Sequence, residues 1–99
     1  MTKFDILAIG AAHFLVVQSE HLLDLPSTIL VPVLPRDEDP GLRGLTVDIS
    51  IKGRPYRVAA HMPVTVETRR LQQAKPVHRL TPEEGQRVMD GLYAILWGL

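Results

Sequence analysis

The strongest local signal in the chain is a helix start near its end, and it decides what the rest of the sequence must supply. Thr81 can cap a helix, Pro82 then takes the first helical position, and Glu84 stands three residues after the cap. The threonine hydroxyl accepts from the backbone N–H of Glu84 while the glutamate reaches back, and Pro loses nothing by lacking an N–H there. Glu83 and Glu84 also suit the positive end of the helix dipole, which explains an acidic pair that looks catalytic only out of context. Gly85 and Gly91 weaken the helix by up to about 1 kcal/mol each. It therefore depends on packing against something flat, and the first two thirds of the chain must build it.

Those residues read as short strands. Around Phe4 to Ala8 apolar and polar positions alternate, His13 to Ser19 and Ile29 to Leu34 are apolar runs, and Pro32 suggests an edge or a bulge in the latter. Leu45 to Lys52 has an apolar residue at every second position, the mark of a strand with one buried and one wet face. Gly53 then makes a tight turn and Tyr56 to His61 returns as the hairpin partner. Pro35 to Gly44, with three acidic residues between its prolines and glycines, reads as a solvated loop, and Gln72 to Pro76 as a second connector. Many short strands with frequent turns predict a mainly β fold with a C-terminal helix, a small barrel or strongly bent antiparallel sheet. The whole of residues 1–99 reads as one domain.

Charge and composition exclude several classes. The 11 basic and 11 acidic residues balance, which argues against a protein that grips nucleic acid through phosphates. There is no cysteine, so neither disulfides nor thiolate metal sites are possible. His13, His21, His61 and His78 are scattered without ligand spacing, and no glycine-rich phosphate loop is present. The reading is of a chain with no metal, no cofactor and no catalytic residue. No signal peptide and no run of about 20 apolar residues is found, so a cytoplasmic location without membrane contact is expected.

The helix carries two stripes. Val88, Leu92, Ile95, Leu96 and Leu99 fall in one sector and should face the sheet, while Met89, Tyr93 and Trp97 form a second row at i, i+4 and i+8. That second row could be a dimer contact, the edge of the core or a target surface. The only Trp thus stands among the last three residues, aimed away from the expected core. Either it folds back over the domain edge, as large aromatics tend to do, or it anchors a partner, as Trp often does at interfaces.

Particular residues then resemble a known family. The end of the chain, Leu92-Tyr93-Ala94-Ile95-Leu96-Trp97-Gly98-Leu99, is similar to the end of CcdB toxins. So is the run Val17-Gln18-Ser19-Glu20 followed by Leu22-Leu23-Asp24 and Pro26, and Tyr56-Arg57 stands where the family has a Trp-Arg pair. The resemblance implies an SH3-type small barrel shared with MazF, made of a five-stranded antiparallel sheet, a small side sheet and the helix. It also implies a homodimer that binds gyrase A, the catalytic subunit of DNA gyrase, and traps its cleavage complex with DNA. A CcdA-like antitoxin would neutralise it by folding onto it. The gyrase-binding set it implies is Trp97, Gly98, Leu99, Tyr93, Leu22 and Leu23, with the indole in a cation–π contact. Tyr93 replaces the plasmid toxin's Asn, Leu96 its Phe, and Val58, Ala59 and Ala60 its larger residues.

Two other readings compete. A MazF-like endoribonuclease would need an Arg with an acid or hydroxyl in one groove, for which Arg57, His61 and Thr65 are candidates. A relative that keeps the antitoxin site but no longer poisons gyrase would be favoured by Tyr93. Arg69-Arg70 could meet an acidic antitoxin segment or form a solvated turn.

Overall fold

The computed structural model describes residues 1–98. In order, the chain forms β1 (Asp5–Ile9), β2 (Ala12–Val16), β3 (Ser27–Pro35), β4 (Thr46–Ile51) and β5 (Arg54–Ala59). β6 (Val64–Glu67), a one-turn helix α1 (Thr68–Leu71), β7 (Pro76–Arg79) and the long helix α2 (Pro82–Trp97) follow, with 3-10 turns at Glu20–Leu22 and Arg36–Glu38. All strands pair antiparallel in the order β4-β5-β3-β2-β1-β7, and β6 joins the outer edge of β3. The predicted class stands: mainly β, with a C-terminal helix. The predicted five strands plus separate side sheet are one seven-stranded sheet, because β3 is long enough to serve β6 at Ser27–Leu30 and β5 at Val33–Pro35.

Pro32 falls in the gap between those two pairings, so its missing N–H removes no bond on that edge. The hairpin turn is at Lys52-Gly53, both with positive φ (51° and 80°), the backbone that a two-residue loop of this twist requires. In β4, Val47, Ile49 and Ile51 are buried while Asp48 and Ser50 are exposed, as the alternation predicts.

Both faces of the sheet are covered, which is why β2 and β3 read as apolar runs rather than alternations. Ile6, Leu15, Val31 and Val58 join Val88 and Leu92 of α2 in the larger core, and their chain neighbours Leu7, Val16 and Leu30 pack with Leu71 of α1 on the opposite face. On that side a buried hydrogen bond between Thr28 and Thr68 (2.8 Å) ties α1 to β3.

The helix start is built as the sequence predicts. Thr81 Oγ1 accepts from Glu84 N at 3.2 Å and Glu84 Oε1 accepts from Thr81 N at 2.9 Å. Thr81→Ala should lower stability by about 1 kcal/mol in urea unfolding. Gly91 has a steric purpose: a Cβ there would lie 3.1 Å from the Gly44 carbonyl oxygen and 3.2 Å from Ala60 Cβ. The helix crosses the sheet edge at that point with no room for a side chain. Gly91→Val is therefore expected to destabilise by about 1–3 kcal/mol through overpacking, despite its better helix propensity, and an unchanged urea midpoint would contradict the close approach.

Candidate functional site

Only the first three turns of α2, to Leu92, rest on the sheet. Gly85, Val88, Gly91 and Leu92 are its buried residues. The sequence placed Ile95 and Leu96 on the same buried stripe, and the structure corrects this: Leu96 is 60% exposed and Ile95 is exposed as well. The last turn overhangs the domain, so the helical period continues where there is no sheet left to cover it. Trp97 is 82% exposed, and Gly98 closes the helix at positive φ (77°) with its N–H donated to Ala94 O. The indole has left its own core. Leu99 lies outside the described residues.

The rest of the expected gyrase-binding set is divided between two surfaces. Tyr93, half exposed, lines a cleft of about 440 Å³ with Met89, Gln86, Lys3, Phe4 and Arg79. Arg79 is the tie across this face. It donates to Thr2 Oγ1 and to Asp5 Oδ1 (3.3 Å), and reaches Glu20 Oε1 at 4.0 Å. The Glu20–Leu22 turn is thereby drawn beside the cleft, and Leu22 is exposed on it. Leu23 turns the other way, half buried against the Leu7–Leu71 cluster. Buried Gln18 holds the turn, donating to Leu22 O and Ser27 O and accepting from Ile29 N. Lys3, Phe4 and Arg79 are functional candidates the sequence alone did not single out, since only the β1–β7 pairing brings them together.

A larger groove of about 780 Å³ lies on the other flank of α2, between the 39–45 loop, β4, β5 and the helix. Its charged lining is Arg43, Arg57, Arg87, Asp48 and Asp90. Arg57 and Asp48 face each other across β4 and β5, with Nε 2.7 Å from Oδ1. That hydrogen bond, aided by the charge of Arg36 at 3.8 Å, holds the Asp48 carboxyl below its ordinary value and raises Arg57 in return. A depressed carboxyl stabilises the fold at neutral pH, and its contribution is lost as pH falls below about 4, through the lowered value. Arg57 also donates to Asp39 O, and a Cβ at Gly41 would sit 2.8 Å from its guanidinium carbon, so the loop is clamped over it. Arg43 and Arg87, both exposed, have no ion pair among the described residues.

The expected nuclease set is not assembled. Arg57 stands opposite Leu34 of β3, whereas Thr65 stands opposite Ile29, five residues earlier, which is about 16 Å along the strand. His61 follows the end of β5 in a turn. Among the described residues no three His, Asp or Glu side chains gather as a metal site, and no helix is long and apolar enough to cross a membrane. Arg69 and Arg70 are exposed on α1, Arg69 paired with Glu67 at 2.8 Å.

No protein-family profile and no curated protein sequence matches the chain. Solved structures do. A MazE–MazF structure from Deinococcus radiodurans superposes with a TM-score of 0.80 at 15% identity, covering 100% of this chain and 98% of that one. An endoribonuclease from Mycobacterial species gives 0.77 at 14%, covering 97% and 90%. An endoribonuclease in complex with its cognate antitoxin, also from Mycobacterial species, gives 0.75 at 12%, covering 97% and 94%. These likenesses overturn the expectation that a chain of this kind catalyses nothing, because enzymes are built on this same fold over its full length. The expectation of no nucleic-acid contact loses its support from the fold, since the same fold is found in endoribonucleases. What the comparisons establish for this chain is its fold, the one seen in MazF-type toxins.

Proposed function

We propose that the chain is the toxin of a toxin–antitoxin pair and that it cleaves RNA in the groove between the 39–45 loop and α2. The observation that carries this reading is the full-length match of its fold to endoribonucleases, one of them bound to its antitoxin. The groove supplies suitable chemistry. Arg43 and Arg87 are cations with no ion-pair partner among the described residues, placed to offset the charge that builds on a phosphate as the neighbouring 2′-hydroxyl attacks it. The Asp90 carboxylate is on the same wall to take the hydroxyl proton; the P–O5′ bond breaks as the 2′-oxygen bonds to phosphorus, leaving a 2′,3′-cyclic phosphate and a 5′-oxygen that is protonated from solvent in the open groove. Arg57 is committed to Asp48 and to the loop, and acts by positioning the wall. A zero net charge does not oppose this, because binding responds to the local field of a cleft rather than to the total. Purified toxin, freed of antitoxin, should cut single-stranded RNA, and added antitoxin should stop it. Intact RNA after prolonged incubation with folded protein would sink the reading.

A second reading has its own observation, the 82% exposed indole of Trp97. Trp97, Gly98, Leu99, Tyr93 and Leu22 would dock on gyrase A, without Leu23, which packs on the opposite face, and a CcdA-like antitoxin would compete. A homodimer through the overhanging last turn of α2, where Ile95 and Leu96 lack cover, suits either reading. Growth arrest that disappears in cells with a resistant gyrase A allele would favour this second target.

A further inference from the structure

We infer that the cleft formed by Lys3, Phe4, Arg79, Met89 and Tyr93 holds one nucleotide of a single RNA strand, its base against Tyr93 and Met89 and its phosphate on Lys3. The inference rests on the RNA reading and adds a binding position on the opposite flank of α2 from the groove.

Three observations carry it. The first is the lining itself, which combines two aromatic rings and a thioether with two cations, while the Gln86 amide beside them donates to Asp90 Oδ1 at 2.9 Å. Sequence-tolerant binding of single strands uses this combination, a π face for the base and a positive charge for the backbone. The second is how the wall is held. Phe4 has φ 72°, a conformation unfavourable for a bulky residue. It is fixed there by donating its N–H to Val16 O (2.8 Å) and accepting from Leu80 N (3.1 Å), with its ring lodged against Gly85. Strain of this kind is kept where the surrounding structure over-determines it, and such places cluster at binding sites. Here it sets the Lys3 ammonium 5.0 Å from the Phe4 ring centre, beside the cleft and without a carboxylate partner among the described residues.

The third observation is charge and placement. The charge of Arg79 is shared with Asp5 and Glu20, so the free cation of the cleft, among the described residues, is Lys3: it would repel an arginine from a protein partner seated between these rings and attract a phosphate. Gln86 and Met89 line the cleft while Arg87 and Asp90 line the groove, so neighbouring positions on one helix serve both. A strand crossing the crest of α2 can occupy the two together.

The test is binding of a fluorescent single-stranded oligonucleotide with 2′-O-methyl riboses, which cannot be cut by 2′-hydroxyl attack. Tyr93→Ser should weaken binding about tenfold. Lys3→Ala should weaken it and lower the slope of log affinity against log salt by about 0.7. Both substitutions lie at partly exposed positions, and circular dichroism checks their fold. Variants that bind like the unsubstituted protein, while Arg87→Ala loses affinity, would overturn the cleft and leave RNA in the groove alone. Loss of affinity for a gyrase A fragment, with oligonucleotide binding unchanged, would overturn it in favour of a protein dock. Cleavage is not scored, so binding through the cleft by a protein that never cuts RNA would support the cleft and retire the nuclease reading.

Discussion

RNA cleavage falls by at least about a hundredfold when Arg43 and Arg87 are both replaced by alanine, while the urea unfolding midpoint stays where it was. The size follows from what the two cations do. Removing a single donor that stabilises developing negative charge costs on the order of a hundred- to a thousandfold in rate, and neither arginine has an ion-pair partner among the described residues that would share its charge. Stability is spared because both side chains are exposed and off the core. The Asp48–Arg57 pair behaves differently. Asp48→Ala removes the hydrogen bond that holds Arg57 and loosens the clamp on the 39–45 loop, so its effect on rate comes with a change in loop order. The salt dependence of RNA binding supplies an independent check, since each lost phosphate contact lowers the slope by about 0.7 on a single strand. Unchanged cleavage by the double variant would remove the groove from the mechanism, whatever the fold shares with nucleases.

Local rules made the frame of this fold readable. The Thr81–Glu84 box, the Lys52-Gly53 turn and the alternation of β4 each depend on residues a few positions apart, and each is built as expected. The elements that escaped are short and held from a distance. β6 and β7 have four residues each, too few to show a period, and α1 is a single turn. β6 exists because Ser27 to Leu30 offer it an edge, and α1 is pinned by Thr68 to Thr28, forty positions away. The site divides the same way. The exposure of Trp97 followed from the helical period, yet the same period wrongly buried Ile95 and Leu96, since nothing in it says where the sheet ends. The cleft and the groove gather Lys3 with Arg79, and Arg57 with Arg87, through strand order and helix placement that no local pattern encodes. A balanced charge count is silent for a related reason: it does not say that Arg43 and Arg87 share one groove.

The second large effect belongs to the tip. Trp97→Ala should leave the unfolding free energy within about 0.5 kcal/mol of the unsubstituted protein, because the side chain contributes almost nothing to the core. Cleavage of RNA should also survive, since the indole belongs to neither the groove nor the cleft lining. What should change is capture of a protein. An exposed Trp that anchors an interface contributes at least about 2 kcal/mol, which is a loss of about thirtyfold or more in affinity on truncation. With a gyrase A fragment as the probe, such a loss in the variant, against measurable binding by the parent, would give the tip its target. Failure of the parent to bind the fragment at micromolar concentration would remove gyrase and leave Trp97 to the antitoxin or to a second copy of the chain. Titration of the antitoxin then separates those two, because an antitoxin contact weakens neutralisation of the variant, whereas a dimer contact shifts the monomer–dimer balance in sedimentation with no antitoxin present.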